Sequence, residues 1–311
     1  MTAVAIVIPT LNRAPLLKSA IASALACEPS PVEVVVVDCG STDDTVDVAQ
    51  SFGSDVVFVQ RELQNVAAAR NLGLVMTSAP YVGFLDSDDQ ALPGKTGGLA
   101  TQLESSSNVV LVHGTTTFID ADDQEIPLRM AEQIAGQSKG RSLGTRYQAL
   151  ASFCSMYTSS TLIRRDAIKS IGGFDESLDT YEDWDLYLRL ALVGELAYAD
   201  VSAARYRVWP GNVSWDRTAT GVVQVAHKHL SGLDSVPADQ RKGAEFGFHC
   251  RLAGSHYTLL ELDQARRAAV AALRLDPGRA ITTPEVRRAL TRWVVPRRIL
   301  RARRHSRKTQ A

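Results

Sequence analysis

The chain has 311 residues, 45% of them hydrophobic and 22% charged, so it can bury an ordinary globular core and is neither disordered nor fibrous. Its apolar runs are strand-sized, well short of the ~20 residues of a membrane-spanning helix, and its start lacks a signal-peptide pattern; we therefore expect a cytoplasmic protein. Four widely spaced cysteines predict neither a disulfide framework nor a zinc site. The formal net charge of zero hides a basic end, because residues 285–311 hold ten Lys and Arg against one acid.

Runs of β-branched residues alternate with amphipathic stretches in the first part of the chain. Strands are predicted near 4–8, 32–37, 55–59 and 81–85. Helices are predicted between them, near 14–26, 43–52 and 66–77. This alternation is typical of an α/β domain with a mostly parallel sheet and helices on both faces. Because ligands of such sheets bind beyond the carboxyl ends of the strands, we place the site there.

The pattern becomes mixed after Pro93 and turns helical and alanine-rich from about Gly221. The mixed part predicts helices near 94–105 and 182–193, and strands near 109–113, 158–163, 195–199 and 204–208. Three regions follow: an α/β domain over 1–220, a helical region over 221–284 and a basic tail over 285–311. Small residues in the helical region are spaced as in one tetratricopeptide-like hairpin, although a plain helical hairpin fits as well.

An acidic segment follows the fourth predicted strand. Alternation along the strand sends Asp86 and Asp88 to the same face, and two carboxylates converging without a basic neighbour repel unless a cation lies between them. Oxygen ligands favour Mg²⁺ or Mn²⁺, which complete their shells with water and substrate phosphates. The alternative is a solvated acidic turn that caps the following helix.

Two other segments carry polar groups toward the same edge of the sheet. Asp38 ends the second strand at a glycine turn, where it either reads a ribose or base or simply joins the strand to a helix. Arg70 lies on the helix before the acidic strand. It either reaches a diphosphate or pairs with Asp86 or a neighbouring acid.

Taken together, six segments resemble the inverting glycosyltransferases of family 2, which have the GT-A fold. They occur in the family's order, at 6–13, 38–43, 69–71, 84–89, 172–176 and 182–186. The resemblance covers roughly residues 3–215. It implies a metal-dependent enzyme that uses Mn²⁺ or Mg²⁺ to move a sugar from a nucleoside diphosphate to an acceptor hydroxyl, with inversion.

The resemblance also implies roles for individual residues. On the donor side stand Pro9, Thr10, Asn12, Asp38, Cys39, Arg70, Asp86, Ser87 and Asp88, with Asp86 and Asp88 on the metal. The general base is Asp183, which takes the proton of the attacking hydroxyl, with Glu182 and Asp185 as substitutes. Without the resemblance, acids at 182–183 read as a favourable pair at a helix N-terminus. On the acceptor side stand Ser159, Glu182, Trp184 and Trp209.

Two positions depart from the family pattern. Cys39 stands where the family commonly has an aspartate that can accept a hydrogen bond from uracil, and a thiol is a poor acceptor. UDP and dTDP remain the favoured nucleotides, with the base open. Trp209 stands where many relatives have a histidine close to the diphosphate or metal. Its ring either stacks on a sugar or lies in the core.

Competing interpretations remain for the tail and for the whole protein. Apolar residues among the tail arginines suit an interfacial segment on an anionic membrane, where lipid-linked or glycan acceptors would be found. One alternative is a solvated end of the chain. The other is nucleic-acid binding, and that one we do not expect. A nucleotidyltransferase would also need paired carboxylates, but no glycine-rich, basic triphosphate loop lies near the first strand. A non-catalytic sugar-nucleotide-binding scaffold is the third reading.

Overall fold

A computed structural model of the chain describes residues 3–29, 32–127, 130, 146–208 and 215–291. The chain divides into two compact units. The first comprises Met1–Gln133 and Ser155–Trp209, and the second comprises Ile134–Cys154 and Pro210–Ala311. The boundary that the sequence predicts near residue 220 falls inside the helix Trp215–Ser231. No helix in the described ranges combines the length and apolar character needed to cross a membrane.

Nine strands of the first unit's described residues form one mixed sheet in the order β3-β2-β1-β4-β8-β6-β9-β5, with β7 paired to β6. Their bounds are β1 Val4–Thr10, β2 Glu33–Asp38, β3 Val56–Gln60, β4 Tyr81–Phe84, β5 Gln90–Ala91, β6 Val109–Ile119, β7 Glu125–Ile126, β8 Thr161–Arg164 and β9 Glu195–Arg207. The first four run parallel to one another, whereas β8 is antiparallel to both of its neighbours. The α/β fold class is confirmed.

The helices of the first unit lie between these strands in the chain. They are α1 Ala14–Leu25, α2 Thr45–Gln50, α3 Val66–Met76 and α4 Lys95–Glu104, followed after the second unit's α5 (Tyr147–Ser152) by α6 Arg165–Ser170 and α7 Glu182–Leu190. Strand β1 is buried on both faces, which explains its continuous apolar run. Ile6 and Ile8 share a core cluster with Leu17 of α1. The alternate residue Val7 lies against Gly73 of α3, where an added Cβ would meet Val7 Cγ1 at 2.2 Å.

Two predicted elements differ from those observed. The strands predicted near 195–199 and 204–208 form the single long strand β9. Its register against β6 shifts at several points, so the two predicted strands are joined by irregular pairing and not separated by a loop. The strand predicted near 158–163 begins at Thr161, because Thr158–Ser160 forms a 3₁₀ turn instead.

The second unit is helical. Its helices are α5 Tyr147–Ser152, α8 Trp215–Ser231, α9 Ala238–Thr258, α10 Leu262–Leu275, α11 Pro277–Thr282 and α12 Pro284–Thr291. In its core, Tyr147 Oη and His229 Nδ1 lie 2.8 Å apart, and Phe248 packs against both rings. Helices α9 and α10 form the predicted hairpin; its kinship to tetratricopeptide repeats stays a prediction. Residues 285–291 of the predicted tail lie in α12, where Val286 is buried, and residues 292–311 lie outside the described residues.

Candidate active site

The loops that follow β1 and β2 are tied together at the carboxyl edge of the sheet. Thr10 and Asp38 are register partners at the ends of the two strands. The Asn12 N–H donates to Ser41 Oγ at 2.8 Å, and Asn12 Oδ1 accepts from the Thr42 N–H at 2.9 Å. Asn12 has φ 51, a left-handed conformation that asparagine tolerates better than most residues. These bonds give the two loops one fixed arrangement.

Asp38 is fully buried and its carboxylate is used within the protein. Oδ2 accepts from the N–H groups of Gly40 at 3.2 Å and Ser41 at 2.9 Å and from Gln60 Nε2 at 2.8 Å, while Oδ1 accepts from the Ser41 hydroxyl. Gly40 has φ +96, which a side chain would strain. Asp38 therefore shapes the turn, and any contact between Asp38 and a nucleoside stays a prediction.

The hydroxyl of Thr10 lies in the same region and has no hydrogen-bond partner in the described part of the chain. Thr10 is 3% exposed. A buried hydroxyl left unpaired costs about 1–3 kcal/mol, so a ligand that bonded to it would remove a penalty. Pro9 beside it is buried, whereas Cys39 is half-buried, with the pKa of its thiol raised by burial and by Asp38.

Arg70 joins the acidic loop to the start of α7. It is 3% exposed; its Nη2 lies 2.7 Å from Asp86 Oδ1, and its Nη1 pairs with Glu182 Oε1. Its guanidinium carbon lies 5.3 Å from the centroid of the Phe174 ring. Burial would lower the pKa of Arg70, but Asp86 and Glu182 outweigh burial and raise it. The acidic pair therefore has a basic neighbour, and of the two readings of Arg70 the pairing with acids is the one observed.

Asp88 is a half-buried carboxylate of the acidic loop, two residues after Asp86. Its pKa is raised by burial and by Asp86, against the opposing effects of Arg13 and Arg207. Asp89, by contrast, is buried and accepts from Ser159 Oγ at 2.5 Å and from the Arg207 N–H at 2.9 Å. Ser87 between them is buried.

The described residues hold no group of three or more His, Cys, Asp or Glu arranged to bind a metal ion. A divalent cation at Asp88 would therefore need oxygens from water or from a bound diphosphate, as Mg²⁺ commonly does. Asp86 is the less available of the two predicted ligands, because Arg70 already pairs with one of its oxygens. The residues present fit a cation shared with a substrate.

Ser159, predicted on the acceptor side, is instead a buried support of the acidic loop. Its hydroxyl accepts from the Asp86 N–H at 3.1 Å and donates to Asp89. Below it, the fully buried Lys95 donates from Nζ to the carbonyls of Ser159 at 2.8 Å and Phe84 at 3.3 Å. The sequence analysis missed Lys95, because its partners are backbone carbonyls that no residue pattern reveals.

Lys95 makes stability depend on pH. Burial lowers its pKa from the ordinary 10.5 to about 8. Between these values the unfolded chain binds more protons than the folded one, so the free energy of unfolding should rise with pH, by up to about 1.4 kcal/mol per unit. Urea unfolding at pH 7.5, 8.5 and 9.5 should show wild type gaining stability relative to Lys95→Met. Parallel curves for the two proteins would contradict this. Exposed Lys169→Met is the control and should follow wild type.

The three acids at the start of α7 have different environments. Glu182 is buried against Arg70, and Asp185 is fully buried with Oδ2 2.7 Å from Arg189 Nη2. Asp183 is half-buried; it accepts from Thr158 Oγ1 at 3.3 Å and from the Trp184 N–H at 2.7 Å. Of these three acids, Asp183 is the least buried, and it lies beside the turn that supports the acidic loop.

Two aromatic residues predicted on the acceptor side have different outcomes. Trp184 is 1% exposed and packs edge-on against Tyr181, so its ring belongs to the core and does not line an open surface. Tyr181 has φ 64, a strained conformation for an aromatic residue, directly before α7. Trp209 lies outside the described residues.

Known proteins resemble this chain in sequence and fold. Succinoglycan biosynthesis protein ExoU of Rhizobium meliloti (strain 1021) is 33% identical over 221 residues, 66% of this chain and 61% of that protein. Chondroitin synthase of Escherichia coli is 27% identical over 194 residues, 61% of this chain and 27% of that protein. The chain thus spans about three fifths of the first relative's length, and less of the second.

Two solved structures share the fold. S. aureus TarS 1-349 in complex with UDP-GlcNAc superposes with a TM-score of 0.63 at 16% identity, covering 93% of this chain and 87% of that one. Mannosyltransferase PcManGT from Pyrobaculum calidifontis, in complex with GDP-Man and Mn²⁺, superposes with a TM-score of 0.60 at 19% identity, covering 94% and 88%. The first unit is therefore GT-A-like. Since the model of the family described as "Glycosyl transferase family 2" matches residues 5–172, more than half of the sequence, this chain belongs to glycosyltransferase family 2.

Proposed function

We propose that this protein transfers a sugar from a nucleoside diphosphate donor to an acceptor hydroxyl, with inversion at the anomeric carbon. One observation carries the proposal: Asp88 and Asp183 are half-buried carboxylates on two segments that are joined by the ion pairs of Arg70 with Asp86 and Glu182. These ion pairs therefore link the segment of the proposed diphosphate-binding acid to the segment of the proposed base. The nucleotide-sugar complexes of TarS and PcManGT support this class of donor.

In the proposed reaction Asp183 is the general base. It accepts the proton of the acceptor hydroxyl while that oxygen forms its bond to the anomeric carbon. The bond from that carbon to the diphosphate oxygen breaks in the same step, and the diphosphate leaves with the electron pair. Thr158 and the Trp184 N–H orient the Asp183 carboxylate through their hydrogen bonds. One base and one displacement give inversion.

The acidic loop is proposed to bind the donor diphosphate. Asp88, with Asp86 beside it, would hold a Mn²⁺ or Mg²⁺ ion, which when bound would stabilise the negative charge of the departing diphosphate. Ser159, Lys95 and the Arg207 N–H hold the loop in place. The nucleoside would lie over the strand ends and loops of Pro9, Thr10, Asn12, Asp38 and Cys39, where no described residue bonds to the Thr10 hydroxyl.

The donor proposal is tested by a thermal-shift panel of UDP, dTDP, GDP, CMP and ATP, with and without Mn²⁺. We expect one diphosphate to raise the melting temperature by several degrees only when Mn²⁺ is present, because ligand binding stabilises the folded state. A shift with ATP alone would favour a nucleotidyltransferase. No shift with any nucleotide would contradict the proposal.

We also propose that the basic tail brings the protein to the cytoplasmic face of an anionic membrane. The charges of 292–311 support this, since a basic segment with apolar residues binds anionic lipid. Liposome sedimentation should show that a protein ending after residue 291 loses binding to vesicles containing phosphatidylglycerol. That end point keeps α12, whose Val286 is part of the helical core. Equal binding of the full and shortened proteins would rule out the tail as the anchor.

A further inference from the structure

Three aromatic rings of the first unit meet beside the candidate site. The Tyr157 and Tyr206 ring centroids lie 4.6 Å apart, and Phe118 of β6 packs edge-on behind them, at 5.4 Å from Tyr157 and 6.2 Å from Tyr206. Phe118 is buried, whereas both tyrosines are half-buried. The pair is thus supported from below and open to solvent in part.

Each tyrosine is fixed next to a residue that contacts the acids. Tyr157 directly precedes Thr158, whose hydroxyl bonds to Asp183. Tyr206 directly precedes Arg207, whose N–H bonds to Asp89 and whose Nε donates to the Asp88 carbonyl at 2.9 Å. The two rings therefore lie on segments that contact the proposed base and the acidic loop.

The electrostatics agree with this location. Burial raises the pKa of the Tyr206 phenol well above its ordinary value, and the carboxylates of Asp89 and Asp86 raise it further. The phenol is accordingly neutral at physiological pH. Rings of this kind combine an apolar face with a polar tip.

We propose that Tyr157 and Tyr206 form a subsite that binds the ring of a sugar. A pyranose has an apolar face of C–H groups and a rim of hydroxyls, which matches an aromatic surface flanked by carboxylates. The inference rests on the proposed transfer, since either the donor sugar or the acceptor sugar must lie between Asp88 and Asp183 when the bond forms. The same chemistry serves either ring, and the test separates them.

The variants are chosen to separate a binding role from a structural one. Tyr157→Leu and Tyr206→Leu remove the aromatic face but keep an apolar side chain on Phe118. Tyr157→Phe and Tyr206→Phe keep the face and lose only the hydroxyl. Tyr198→Leu is the matched control, because Tyr198 lies on the same strand as Tyr206, is 49% exposed and packs against His113.

Two measurements distinguish the donor ring from the acceptor ring. The first compares the Kd of UDP-glucose, UDP-GlcNAc and GDP-mannose with that of the free UDP or GDP. The second measures the apparent KM for octyl β-D-glucoside and octyl β-D-galactoside as acceptors. We expect the leucine substitutions to raise either the Kd of the nucleotide sugar or the apparent KM of the acceptor by tenfold or more. The Kd of the free nucleotide should stay within twofold of the wild-type value. The phenylalanine variants should stay within threefold of wild type, and Tyr198→Leu should match it.

Other outcomes overturn the inference. Leucine variants within twofold of wild type in both measurements would show that no sugar packs on the rings. Equal losses in the leucine and phenylalanine variants, with free-nucleotide affinity lost too, would show a structural role. If the wild-type protein neither binds nor turns over any nucleotide sugar, both the proposed function and the subsite are refuted. If wild type is active and the leucine variants are unaffected, only the subsite is refuted.

Discussion

Replacing Asp183 by Asn is expected to lower the turnover number by roughly 10²–10⁴-fold, the usual contribution of a general base. The amide keeps the size of the side chain and can still accept from Thr158, so the fold should be unaffected. What it cannot do is take a proton from the acceptor hydroxyl. Initial rates of nucleotide release in the presence of acceptor measure the effect.

The control for this variant is Asp166→Asn, which removes an exposed acid from the first turn of α6. Its turnover should match wild type, because Asp166 forms no part of the proposed site. Wild-type turnover in Asp183→Asn would contradict the assignment of the base. Neither Glu182 nor Asp185 could then substitute without leaving its buried ion pair with Arg70 or Arg189.

Replacing Arg70 by Met is expected to cost about 3–5 kcal/mol of stability, the usual penalty for leaving a buried charge without its partner. Glu182 would be that charge, since its side chain is 9% exposed and burial already raises its pKa against the opposing effect of Arg70. Asp86, at 33% exposed, can be solvated instead. Urea unfolding at pH 7 measures the loss.

The double variant Arg70→Met/Glu182→Met separates stability from catalysis. A buried ion pair replaced by apolar side chains of similar size is often neutral for stability, so most of the loss should be recovered. Turnover should stay low, because Asp86 has lost the partner that ties its loop to α7. Full activity in the double variant would mean that the pair contributes only to folding. A single variant as stable as wild type would contradict the buried pairing itself.

The sequence predicted the α/β fold well, because that prediction depended on local patterns. Alternating strands and helices imply a parallel sheet, and the carboxyl ends of its strands carry Thr10, Asp38 and the acidic loop. Cooperation between distant residues was harder to predict. The sequence left two partners open for Arg70, a diphosphate or an acid. In the structure one of its acidic partners is Glu182, which lies 112 positions away in the chain.

Buried supports were the least predictable part of the site. Ser159 and Trp184 lie in segments that suggested an acceptor surface, yet both are buried, since tertiary packing decides which face of a turn or helix meets solvent. Lys95 and Arg207 act mainly on backbone groups of the acidic loop and its neighbours. Helix α5 belongs to the second unit although the first unit continues at Ser155, and composition carries no sign of such a detour.

The central proposal is that the two carboxylates have different roles: Asp88 binds the donor, and Asp183 removes the proton of the acceptor hydroxyl. Titration of Asp88→Asn and Asp183→Asn with the nucleotide that wild type binds, in the presence of Mn²⁺, tests it most directly. We expect Asp88→Asn to lose about tenfold or more in affinity, which is about 1.4 kcal/mol or more, and Asp183→Asn to stay within about twofold of wild type. Equal affinities in both variants, or a loss in Asp183→Asn as large as in Asp88→Asn, would contradict it.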